Sequence, residues 1–164
     1  MKKTLILLAM SGTLAAPALA SQYHLGQHEG PALHSASIPI GYPGAPVLID
    51  RTIKISMADA PDGAMSFDVG FIDIRRGETI RLVLTNDGAQ PHDFVMASPE
   101  EIADHREAMR GAGEMIHEAG YAAQVAPGAV RTLVWTFANE GEFAFACLIP
   151  GHYEAGMNGR LTVE

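Results

Sequence analysis

Hydrophobic and polar positions alternate with a period of two in several separate stretches of the chain. Arg51-Thr-Ile-Lys-Ile-Ser-Met57 does so, and Thr79-Ile-Arg-Leu-Val-Leu-Thr85 sets Ile80, Leu82 and Leu84 on one face. Val130-Arg-Thr-Leu-Val-Trp-Thr-Phe137 puts Leu133, Trp135 and Phe137 on one side, and Phe143, Phe145 and Cys147 alternate again. A β-strand turns successive side chains to opposite faces, so each stretch predicts a strand with one face for a core. The turns between them, Arg76-Gly77-Glu78, Asn86-Asp87-Gly88 and Asn139-Glu140-Gly141, carry the residues that reverse an antiparallel strand. Several such strands in one small domain predict an all-β sandwich.

One segment departs from this period. Ser98-Pro99-Glu100-Glu101 combines an N-cap serine, a proline at the first helical position and a glutamate three residues after the cap. It predicts a short helical insertion running to about Met109 or Arg110, before Gly111 and Gly113. Residues 21–46 are rich in Gly, Pro, Ser and His and follow neither period. They read as a flexible arm that carries His24, His28 and His34 and orders only locally, leaving 47–164 as the domain. Upstream, Met1-Lys2-Lys3, the apolar run Leu5 to Leu14 and Ala18-Leu19-Ala20 have the three parts of a signal peptide, residues 1–20. Cleavage after Ala20 predicts an exported, periplasmic protein. The apolar run is short of the ~20 residues that a membrane span needs.

The 144 residues that remain after cleavage amount to one domain and bury a core without staples. The formal charge of −8 becomes −10 once Lys2 and Lys3 are removed. Nucleic acid, whose phosphates demand basic surfaces, is excluded as a partner; a basic redox protein suits the acidic surface. The single cysteine, Cys147, changes the picture more. In an oxidising compartment a leftover thiol pairs or oxidises unless it is buried or held by a metal. Composition leaves both alternatives open.

Its neighbours point to the metal. Cys147-Leu-Ile-Pro-Gly-His152-Tyr-Glu-Ala-Gly-Met157 offers a thiolate, an imidazole and a thioether at intervals of five residues. Soft sulfur donors with imidazole favour copper over magnesium or calcium. Two histidines and a cysteine in a plane, with a weak axial methionine, describe an electron-transfer copper centre. The second histidine has to come from elsewhere, and His92 follows one strand region and opens the next. Alone, His92 reads as a surface or core histidine, Met157 as packing and Cys147 as a buried thiol; together they read as a site.

These residues resemble the cupredoxin superfamily, which includes plastocyanin, azurin, rusticyanin and auracyanin. The likeness is greatest to periplasmic cupredoxins of the CopI copper-tolerance type. It covers about Arg51 to Glu164 and rests on Arg76-Gly-Glu-Thr79, Pro91-His-Asp-Phe94, the helical insertion, Val125-Ala-Pro-Gly128 and Phe143 to Met157. The resemblance implies a Greek-key sandwich with one type 1 copper at one end, held by His92, Cys147, His152 and Met157. Two features depart from the common pattern. Asp93 stands where many blue cupredoxins have asparagine, and the four residues between His152 and Met157 are similar to rusticyanin rather than azurin. An anionic group beside the site lowers its potential or alters its hydrogen bonding.

Electron transfer is one role for such a centre, with His152 expected nearest solvent and Phe94 and Phe145 keeping water out. Copper tolerance or sequestration is another. His105 and Met109 share a helix face at i and i+4, and Met115 and His117 follow, predicting a weaker second copper site. In that reading the protein buffers or delivers copper without a dedicated redox partner. Catalysis is not expected. The chain has no His-x-His pair for further copper ions and no Gly-x-Ser-x-Gly elbow, and Cys147 is consumed as a ligand. The expected state is a monomer with no membrane span.

Overall fold

A computed structural model describes residues 39–112 and 119–164. The signal-peptide segment, His24, His28, His34, Met115 and His117 lie outside the described residues. Ten strands are present among the described residues: β1 (Gly41–Pro43), β2 (Arg51–Asp59), β3 (Met65–Phe67), β4 (Phe71–Ile74), β5 (Thr79–Asn86), β6 (His92–Ala97), β7 (Ala122–Val125), β8 (Val130–Phe137), β9 (Gly141–Ala146) and β10 (Asn158–Val163). They form two five-stranded sheets, in the orders β1-β8-β5-β2-β3 and β4-β10-β9-β6-β7. The chain crosses repeatedly between the sheets, so neighbours within a sheet are seldom neighbours in sequence. This is the all-β sandwich that the alternating stretches predict, with crossing connections of the kind that the cupredoxin resemblance implies.

The alternation has the physical cause assigned to it. Ile55, Met57, Ile80, Leu82, Leu84, Trp135 and Phe137 of the first sheet are buried against Ile72, Ile74, Phe94, Phe143, Phe145 and Leu161 of the second. Each such side chain contributes about 1.5–3 kcal/mol by leaving water. β6 shows no alternation because both of its faces are covered. Phe94 and Met96 enter the central core, whereas Val95 and Ala97 pack with Ala122, Ala146, Leu148 and Ile102. Ile102 belongs to α1 (Pro99–Ala112), the one α-helix among the described residues, which lies over β6 and β9. Ser98 caps it as predicted: the Glu101 N–H donates to Ser98 Oγ at 3.2 Å, and the Ser98 N–H donates to Glu101 Oε2 at 2.9 Å. The helix runs two residues past the predicted end, through Gly111 to Ala112.

The end of the stretch read as an arm is part of the first sheet. Ile40 is fully buried, and Gly41, Tyr42 and Pro43 pair with Phe137, Thr136 and Trp135 of β8. The ordered sandwich therefore begins before Val47. β1 is built from a glycine, a tyrosine and a proline, and its pairing is made by backbone groups that leave no hydrophobic period. β3, β4 and β7 are three or four residues long, also too short for one.

Candidate metal centre

His92 opens β6 immediately after the turn that leaves β5, and Cys147 follows the last residue of β9. β6 and β9 pair antiparallel, Val95 opposite Ala146, and this register brings the two residues to one end of the sandwich. His152 and Met157 lie on the connection from β9 to β10. That loop is closed by its own backbone: the Cys147 N–H donates to the Met157 carbonyl at 3.1 Å, and the Met157 N–H donates to the His152 carbonyl at 3.1 Å. Met157 is thereby fixed beside Cys147, fully buried in the same core cluster. α1 supports the loop from outside. Arg106 Nη2 donates to Glu154 at 2.6 Å, and its guanidinium lies 3.7 Å from the centre of the Tyr153 ring.

The donor atoms of His92, Cys147 and His152 all lie within 4.8 Å of one another. The two Nδ1 atoms are 3.2 Å apart, and His152 Nδ1 is 3.4 Å from Cys147 Sγ. Donors that share one ion through bonds of about 2.0–2.3 Å have such separations, so this set fits a single soft or borderline metal. His92 and Cys147 are fully buried, and His152, at 6 % exposure, is the one nearest solvent. Phe94, Phe145 and Phe67 pack behind them: Phe94 and Phe145 stack with ring centres 5.5 Å apart. Among the described residues, no other group of three or more His, Cys, Asp or Glu side chains converges in this way.

Burial sets the protonation states in the absence of a cation. It pushes the Cys147 thiol up to about 12, against the opposing hydrogen bonds from the Asp93 and Ile149 N–H groups. A thiolate here thus needs a compensating cation. Burial also lowers both histidines below their ordinary value, with His92 adding to the effect on His152 and the carboxylates of Asp59 and Asp93 opposing it. Neutral imidazoles present the lone pairs that a metal needs. Asp93 is itself fully buried; its N–H donates to Cys147 Sγ at 3.3 Å, and its Oδ1 accepts from Gln124 Nε2 at 3.2 Å.

Two residues that the sequence did not single out complete the site. Asp59, at the end of β2, accepts from His92 Nε2 at 3.3 Å. Asn86, fully buried at the end of β5, donates from Nδ2 to the Gln90 and Val125 carbonyls at 2.7 and 2.8 Å and accepts from the Gly88 N–H at 2.9 Å. It thus holds the turn that delivers His92. Asn86→Asp sets a carboxylate oxygen against the carbonyl oxygens of Val125, which is fully buried, and Gln90. The expected loss is at least about 3 kcal/mol, read as a fall in the urea midpoint of the metal-free protein. Asp59 is far from His92 in sequence and has no local motif to reveal it.

The proposed second site is less complete. Met109 is 2 % exposed and packed beneath α1, His105 is half-buried, and the other two residues lie outside the described part.

Residues 54–164 match the family of copper binding proteins described as plastocyanin/azurin. The copper-resistant cuproprotein CopI of Rubrivivax gelatinosus is 39% identical over 164 residues, covering 100% of this chain and 97% of that protein. The protein of the same name from Vibrio cholerae is 30% identical, with 95% of each chain covered. Among solved structures, reduced auracyanin from Roseiflexus castenholzii superposes with a TM-score of 0.60 at 25% identity, over 71% of this chain and 98% of its own.

Proposed function

Because the chain belongs to the plastocyanin/azurin family of copper-binding proteins, as a cupredoxin of the CopI type, we propose that it is exported and serves copper tolerance and electron transfer through one type 1 centre. In this reading residues 1–20 are the signal peptide, His92, Cys147, His152 and Met157 are the ligands, and no reaction is catalysed. The convergence of two imidazole Nδ1 atoms and one buried sulfur at the dry end of the sandwich carries the proposal. Bound copper supplies one-electron chemistry between Cu(I) and Cu(II).

The protein's part is to hold the donors in place. The backbone links among Cys147, His152 and Met157 hold three of them together without help from a metal. The Asp93 N–H stabilises charge on the sulfur. Phe67, Phe94 and Phe145 exclude water from the inner side, which protects the thiol from oxidation. His152, the most exposed of the three grouped residues, gives the shortest route from the donors to a partner at the surface. The net negative charge of the chain suits a basic partner, whose association then weakens with salt.

A Cu(II) titration followed by visible absorption and electron paramagnetic resonance tests this reading. The expected result is one copper per chain and an intense thiolate-to-copper band. Absence of that band overturns the ligand assignment. Two or more tightly bound ions per chain favour sequestration, the reading that the copper-resistance relatives and the surplus His and Met residues support.

A further inference from the structure

Three donors converge on a single oxygen of Asp59. Its Oδ1 accepts from the Ala89 N–H at 2.8 Å, the Gln90 N–H at 3.3 Å and His92 Nε2 at 3.3 Å. The side chain is 16 % exposed and reaches from β2 in one sheet to the histidine that opens β6 in the other. Gly88 makes the approach possible, since a Cβ there would overlap the Asp59 carboxylate. With Nε2 engaged as a donor, the other ring nitrogen of His92 is left bare, and it is Nδ1 that faces His152 Nδ1 at 3.2 Å. A backbone carbonyl in the same place would satisfy Nε2–H equally well. A carboxylate adds a full negative charge one imidazole ring away from the donor cluster.

We infer that Asp59 is a positioning residue that fixes His92 as the Nε2–H tautomer and, through its charge, biases the centre toward the divalent over the monovalent ion. The inference rests on the ligand assignment proposed above. A carboxylate hydrogen-bonded to a ligating histidine sets the ring's orientation and raises its basicity, and changing such a partner typically alters metal affinity by about 10–100-fold. The charge attracts Cu(II) more than Cu(I) by Coulomb's law, so its removal acts unequally on the two.

Asp59→Asn separates charge from geometry, because all three hydrogen bonds use one oxygen that asparagine retains. Chelator competition with Cu(II) and with Cu(I) is expected to show the ratio of the two affinities moving about tenfold toward Cu(I). For a one-electron couple that is a rise of about 59 mV in reduction potential. Gly88→Ala, which displaces the carboxylate, shifts the ratio in the same direction and serves if the first variant fails to fold. In the metal-free protein, nitrogen NMR of His92 should show Nε2–H in the wild type and in Asp59→Asn, and a tautomer mixture in Asp59→Leu. A folded Asp59→Asn protein with an unchanged affinity ratio overturns the charge effect. A wild-type His92 protonated on Nδ1 overturns the positioning role. Failure of the wild type to give a thiolate–copper band sinks the ligand assignment instead, and the metal-free NMR still decides the tautomer.

Discussion

Cys147→Ser is expected to erase the thiolate-to-copper band entirely and to weaken Cu(I) binding by more than about a hundredfold, beyond what loss of an outer-shell partner produces. Serine is nearly the size of cysteine, and its hydroxyl can still accept from the Asp93 N–H and meet His152 Nδ1, the two contacts that the sulfur makes at 3.3 and 3.4 Å. The sandwich should therefore stay folded, with an unchanged far-ultraviolet circular dichroism spectrum. What is lost is a soft donor. A hydroxyl is a hard, weakly acidic oxygen, and two imidazoles beside it no longer make a set selective for copper(I). Retention of an intense visible band in the serine variant would place the chromophore elsewhere, because Cys147 is the only cysteine in the chain.

Phe145→Ala should produce the largest loss of stability, about 3–5 kcal/mol. The Phe145 ring is fully buried, stacks on Phe94 and meets Phe67 edge-on with centres 5.2 Å apart. It lies over Gly159, its register partner on β10, where any Cβ would overlap the ring. On that side there is only glycine backbone, so no side chain can collapse into the space the ring leaves. Against the ~5–15 kcal/mol that a typical domain has in total, this is a large share. The measurement is urea denaturation of the metal-free protein, since a bound ion would mask the loss by mass action. An unchanged m-value with a midpoint shift worth less than about 1.5 kcal/mol would mean that the ring is not a central packing element. The same cavity lies two residues from Cys147, so copper retention in this variant should fall as well.

Much of this protein is written in short-range patterns. The long strands β2, β5, β8 and β9 follow from period-two alternation because each has one face in the core. The helix follows from Ser98, Pro99 and Glu101, whose interactions span three residues. Cys147, His152 and Met157 stand out as a donor group because one loop of eleven residues carries all of them. Such features depend on near neighbours in sequence, and near neighbours constrain one another whatever the rest of the chain does.

Tertiary structure decided the rest. The fully buried strand β6 lost its period because a helix covers the face that a simple sandwich would leave to water. β1 entered the sheet through backbone pairing of Gly41, Tyr42 and Pro43, which no side-chain pattern reports. His92 met His152 across 60 residues, and Asp59 met His92 across 33, only because the sheets pair and cross as they do. The loop settles which three donors stay together. The fourth, and the carboxylate behind it, are fixed by strand register and by a glycine that lets a turn close on Asp59. Register and close approach are sums over many distant contacts, so they become definite only when the whole sandwich has packed.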